Sequence, residues 1–200
     1  QSLPKVLGGS LFAENVPEQH ALELGTFSSP RTSPQPSPNR RGSTFLIGPA
    51  SIGLLIPGVL KLGAIGGVHF KQLVDAYLFE QGSVAVLSAS GGMTNEIINT
   101  VIGMGKRISF SLSFGGDRFP ITSPKDAFLA AEKDPETKTI VYYGELGGTD
   151  EYELAELIKT KQVTKQVICY IAGTISEMFE TPPQFGHAKA MASTQEETAK

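Results

Sequence analysis

Three short stretches of this sequence carry residue types that do chemistry when placed at the ends of secondary-structure elements. In "QFGHAKA", residues 184–190, His187 stands between Gly186 and Ala188. Small neighbours leave an imidazole open to a reactant, and an imidazole is both a nucleophile and a proton carrier near neutral pH. In "YYGELGG", Glu145 follows an apolar run and is flanked by glycines. A carboxylate there can hold an imidazole in one tautomer and stabilise its charged form. In "SASGGMTNE", residues 88–96, an apolar run meets a small-residue loop and the start of a helical pattern. Unpaired first-turn amides and the helix dipole favour an anion at such a point, with Ser90, Gly91 and Gly92 as the nearest donors.

Each stretch has a plainer reading taken singly. A lone histidine is more often structural, a lone glutamate is more often a surface or capping residue, and Ser-Gly-Gly is a common helix entry. Together, a nucleophile, an orienting carboxylate and an anion cradle form a phosphohistidine site. His20, in a helical pattern, and His69, in a loop, are read as structural. No Gly-Lys-Ser/Thr follows the Ser-Gly-Gly loop, so it is not a Walker A loop. The histidines have no partner at ligand spacing and the sequence has one cysteine, so no metal site is expected.

The elements that must position these groups are legible from residue 44 onward. "STFLIGPASIG" reads as a strand entering a Gly-Pro loop. "SVAVLSASGG", "ISFSLSFGGD", "KTIVYYGELGG" and "QVICYIAGTIS" read as four further strands. The helices "MTNEIINTVIGMG", "SPKDAFLAAEKD" and "TDEYELAELIKTK" alternate with them, the second opening with a serine cap and proline, the third with acidic residues in its first turn. Strand alternating with helix implies a mainly parallel sheet with helices on both faces. The four strands all end in glycine, which implies one shared ligand edge at their carboxyl ends. Gly115, Gly116, Asp117 and Arg118 in "GGDRFP" are expected to border that crevice, Arg118 as either a carboxylate partner or a solvated cation.

Upstream, "ENVPEQHALEL" reads as a helix. Residues 25–43, rich in serine and proline, are expected to form a disordered insertion. With 200 residues, 40% of them hydrophobic, the chain can bury a core. A net charge of −3 with mixed signs gives no nucleic-acid footprint, and no apolar run is long enough for a membrane span. The single cysteine, Cys169, excludes an intrachain disulfide, fits a reducing cytoplasm, and sits in an apolar strand pattern that reads as core.

The motifs "SGGMTNE", "GGDRFP", "GELGGTDEYE" and "QFGHAKA", with "IGPASIG" and "PGVLKLG" before them, resemble the acyl-CoA synthetase superfamily and, within it, the ATP-citrate lyase family. The resemblance covers about residues 10–24 and 44–200 and keeps the motif order. It implies a Rossmann-type CoA-binding domain of which residues 1–67 are a remnant, followed by a flavodoxin-like CoA-ligase domain over 68–200 that ends before the family's last strand and helix. It also implies roles. His187 would take a phosphoryl from ATP and Mg2+ held by an ATP-grasp β-type partner, with Glu145 contacting the histidine and Ser90, Gly91 and Gly92 holding the phosphoryl. The phosphoryl would pass to citrate and coenzyme A would take the acyl group, giving citryl-CoA in a cytoplasmic hetero-oligomer. Lys189, where the family carries glycine, adds charge two residues past the histidine.

Two rivals stand beside this expectation. One is the same chemistry on succinate, against which Gly92, Met93 and Asn95 argue. The other is a non-catalytic subunit that only supports assembly.

Overall fold

The computed structural model describes residues 8–28, 45–117, 119–145 and 150–172. Its centre is β5 (Val84–Ser88), buried at all five positions. Parallel neighbours flank it: β6 (Ile108–Ser113) on one side and β7 (Thr139–Glu145) on the other, with β8 (Gln166–Ala172) parallel beyond β7. Three helices make the connections: α3 (Gly91–Gly103), α4 (Pro124–Lys133) and α5 (Asp150–Lys159). The parallel strands therefore run β6-β5-β7-β8, the flavodoxin-like order, as expected.

Period-two alternation splits β5 between two cores. Ala85 and Leu87 join Ala127, Phe128 and Ala131 of α4 and Leu154 and Leu157 of α5. Val84 and Val86 join Ile98 and Val101 of α3 on the opposite face. Helices thus cover both faces, which is why this strand reads as an unbroken apolar run. Helix ends follow the sequence cues. The Ser123 side chain caps α4 by accepting Asp126 N–H, with Pro124 in the first turn. Gly105, at φ +73°, closes α3: its N–H reaches Ile102 O while Lys106 N–H reaches Val101 O, a Schellman stop.

A hairpin that the sequence reading did not separate extends the sheet. β3 (Gly53–Ile56) and β4 (Leu60–Gly63) pair antiparallel across a Pro57-Gly58 turn, and β3 pairs antiparallel with β6. The hairpin lies on the near side of the expected 67/68 boundary yet shares its sheet with the far side. After the hairpin in sequence, α2 (Phe70–Asp75) follows His69. Earlier in the chain, β1 (Gly8–Ser10) and β2 (Phe45–Ile47) form a separate parallel pair, with α1 (Glu18–Ser28) between them in sequence. The helix reaches four residues into the stretch expected to be disordered, because each added residue continues the hydrogen-bond ladder. The rest of that insertion, residues 29–43, lies outside the described residues.

Cys169 corrects its expectation. The residue is exposed, because β8 is last in the strand order among the described residues, and Ile168 and Tyr170 beside it are exposed too. Its thiol is held above the ordinary value by partial desolvation and then by the Glu151 charge, which opposes thiolate formation. Among the described residues no helix is long and apolar enough to cross a membrane.

Glu132 of α4 ties the α5–β8 connection by accepting Thr164 N–H, Thr164 Oγ1–H and Lys165 N–H. Desolvation alone would raise its carboxyl, but these bonds and the Lys165 charge outweigh it and hold the group below its usual value. A lowered carboxyl contributes stability above the usual carboxylate range and loses it as pH falls through the folded value. Glu132→Gln should therefore lower the melting temperature at pH 7, with the gap closing as pH drops below that range. Thermal melts across pH test this, and a gap that stayed constant would refute it.

Candidate functional site

From β5 the chain passes through α3 to β6 on one side, while β7 lies on the other. Connections leaving in opposite directions open a crevice at the carboxyl ends of β5 and β7. The register pairs Ser88 with Tyr143. Continued by two residues, it sets Ser90 level with Glu145, the last residue of β7. Tyr142 belongs to the core on the α4–α5 face, and Val141 packs against the core on the α3 face. By alternation Glu145 lies on the α3 face. Consistently, the Tyr143 hydroxyl, on that same face, is pushed up by burial and then by the charge of Glu145. Glu145 itself is half-buried.

Ser90 is the N-cap of α3, in extended conformation, but its side chain accepts no helix N–H. Its own N–H is engaged, donating to Ser88 Oγ at 2.9 Å. Its carbonyl accepts both Thr94 N–H and Thr94 Oγ1–H. Of the three expected donors, Ser90 is thus committed to the loop, and the first-turn amides of Gly91 and Gly92 are those left without an acceptor from the cap.

The strand-end glycines separate into two kinds. A Cβ on Gly91 would lie 2.5 Å from Ile52 Cγ2, and one on Gly144 would lie 2.5 Å from Glu151 Oε1 and 2.8 Å from the Tyr142 hydroxyl. Gly115, at φ +91°, admits the Pro49 carbonyl where a Cβ would collide with it. These three are glycine because other parts of the chain pack onto them. A Cβ on Gly92 would meet nothing within 4 Å among the described residues. Gly92 alone among these four keeps the close approach that a ligand needs.

Asp117, expected at the crevice, is only 2% exposed and accepts Val16 N–H at 3.0 Å. It fastens the N-terminal segment to the end of β6, because a buried carboxylate must find donors. Gly116 is buried beside it. Arg118 and His187 lie outside the described residues. Among the described residues no group of three or more His, Cys, Asp or Glu could hold a metal.

Two contacts escaped the sequence reading. Asn95, one turn into α3, accepts Gly66 N–H at 2.8 Å. The buried Tyr142 hydroxyl donates to Glu151 Oε1 at 3.4 Å, and burial, then the Glu151 and Asp150 charges, push the phenol far above its usual value. The only prior signal for either was an Asn inside a helix and a Tyr inside an apolar strand, both of which need buried partners.

The CoA-ligase family pattern matches residues 87–200, the region that contains α3, β7 and the 184–190 motif. ATP-citrate synthase subunit 1 of Sordaria macrospora is 37% identical over 196 residues, 98% of this chain and 27% of that one. ATP-citrate synthase of Mus musculus is 40% identical over 161 residues, 80% of this chain and 15% of its own length. The structure of ATP citrate lyase from Methanothrix soehngenii in complex with citrate and coenzyme A superposes with a TM-score of 0.80 at 32% identity, over 95% of this chain and 29% of that one. The chain therefore spans less than a third of the length of these relatives. With a family pattern over more than half of its residues and a fold shared with that solved enzyme, the chain belongs to the CoA-ligase family.

Proposed function

We propose that this chain is the phosphohistidine-bearing, α-type portion of an ATP-dependent citrate–CoA ligase of the ATP-citrate lyase kind. The observation that carries the reading is the uncrowded Cα of Gly92, where a Cβ would meet nothing among the described residues, at the start of α3 after β5, with Glu145 at the end of the adjacent strand β7. In this reading His187 is the nucleophile. Its ring nitrogen forms a bond to a terminal phosphorus as the bridging P–O bond breaks, and the proton on the imidazole is held by Glu145. The amides of Gly91 and Gly92 stabilise the phosphoryl oxygens while they carry charge. A citrate carboxylate oxygen next takes the phosphoryl as the P–N bond breaks, and the thiolate of coenzyme A displaces phosphate from the acyl carbon.

ATP and Mg2+ are assigned to an ATP-grasp partner, where the metal would neutralise phosphate charge. The domain division at about 67/68, a cytoplasmic location and a hetero-oligomeric state belong to the same reading. Citrate is preferred over succinate because the relatives carry citrate in their names and the solved neighbour holds citrate and coenzyme A.

The chain mixed with an ATP-grasp partner and Mg-ATP should acquire an acid-labile phosphoryl label, absent in His187→Asn and formed about 100-fold more slowly in Glu145→Gln. Discharge of the label by citrate and not by succinate fixes the substrate. Labelling of His187→Asn would sink the assignment, and no label on chains shown to associate would leave the assembly role. The glycines give a second test. Gly92→Ala should melt at or slightly above the wild-type temperature while slowing labelling, because its methyl enters open space over the amides. Gly91→Ala should lose about 1–3 kcal/mol of stability by overpacking against Ile52. Equal stability loss in both would contradict the assigned roles.

A further inference from the structure

A helix that begins Gly91-Gly92 has no stiffness of its own at the point where the reading above needs preorganised donors. Glycine loses the most conformational freedom on folding, and Ser90 supplies no side-chain cap. Order in this turn has to come from outside it. Three ties supply it. Thr94 grips the Ser90 carbonyl through both N–H and Oγ1–H, at 2.9 and 2.6 Å. Ile52 presses on the Cα of Gly91. Asn95 Oδ1 accepts the N–H of Gly66, twenty-nine residues away in sequence.

The third tie joins the other two. Gly66 sits in the turn after β4 at φ +75°, with Leu78, Leu55 and Leu73 around its Cα. Its neighbour Ile65 is fully buried and donates its N–H to the Ile52 carbonyl at 3.1 Å. One short segment, Ile65-Gly66, therefore holds Ile52 with one amide and Asn95 with the next. Ile52 and Asn95 grip α3 at successive turns, at Gly91 and four residues on. Asparagine is a poor choice inside a helix, where it competes for backbone hydrogen bonds. Here that competition is used, because the amide of a half-buried glycine would otherwise lack an acceptor.

We propose that Asn95 is a positioning residue, which fixes the direction of the Gly91 and Gly92 amides by clamping the 64–67 turn and Ile52 against the first turn of α3. Its significance for anion binding rests on the reading of α3 as a phosphoryl cradle, but the clamp itself does not. Asn95 acts through the helix and need not touch the anion.

The test uses the full 200-residue chain and two substitutions, Asn95→Leu, similar in size but without an acceptor, and Asn95→Asp, which keeps the acceptor. In wild type, 15N order parameters at Gly91 and Gly92 should be near 0.85, the value of about a rigid backbone. In Asn95→Leu they should fall toward about 0.6, with exchange of the Gly66, Thr94 and Asn95-position amides faster by about ten-fold, as expected for one hydrogen bond. Asn95→Asp should keep both near wild type. If Asn95→Leu does not fold, Asn95→Ser, too short to reach Gly66, replaces it with the same expected result. Unchanged order at Gly91 and Gly92 in the acceptor-less variant overturns the clamp. Titration of wild type with inorganic phosphate, followed at the same two resonances, separately tests the cradle. Rigid glycines that ignore phosphate would sink the cradle and leave the clamp standing.

Discussion

Burial of β5 on both faces is the constraint from which the rest follows. A strand with no polar side to show must be covered by helices above and below, so the connections leaving β5 and β7, through α3 and α5, depart on opposite faces. With β6 on one side and β7 on the other, those departures part at its carboxyl end. The crevice is thus a product of core packing, and residues placed at that edge need no loop scaffold of their own. Ser88, itself buried, makes the transition by exchanging hydrogen bonds with Ser90 and turning the chain into α3.

The site is built from groups the core has left over. Glycines at strand ends invite the idea of a bare edge waiting for ligand, yet most of the space they free is filled by the protein. Pro49 occupies the space at Gly115, Ile52 at Gly91, and the Glu151 carboxylate with the Tyr142 hydroxyl at Gly144. Each filling packs another part of the chain against the backbone at a candidate-site position, which holds a glycine-rich edge in place. Gly92 is left open because nothing in the described residues competes for it. Asp117 follows the same logic from the polar side, its buried carboxylate accepting the Val16 amide.

Local patterning made the elements legible. The apolar run "VAVLS" and the Ser123-Pro124 helix entry each rest on neighbours in sequence, and each appears where expected. Cys169 shows the limit. An apolar strand reads as core whether it is central or last in the order, and only the strand order decides. The hairpin over 53–63 was signalled by Pro57-Gly58 between apolar runs, but its partner β6 lies some fifty residues on, beyond any local pattern. The candidate site was legible in residue type, as Glu145 and the Ser-Gly-Gly entry show. The division of labour among its glycines was not, since it depends on which atoms of distant segments arrive.

One electrostatic consequence connects the crevice to the motif at 184–190. A carboxylate and a bound phosphoryl at adjacent strand ends repel, by about 1 kcal/mol at 4 Å in water and about 4 kcal/mol at the effective dielectric of a protein surface. Helix amides offset part of this on the side of the anion. A group carrying a proton between the two converts one repulsion into two attractions, and imidazole does so near neutral pH. His20 lies in α1 and His69 precedes α2, neither of them on a loop that follows one of the four parallel strands. His187, downstream of β8, is the histidine whose place in the sequence follows such a strand. In the proposed reading, a phosphoryl held beside Glu145 is therefore disfavoured by the carboxylate charge and becomes favourable once the imidazole that the sequence motif supplies stands between them.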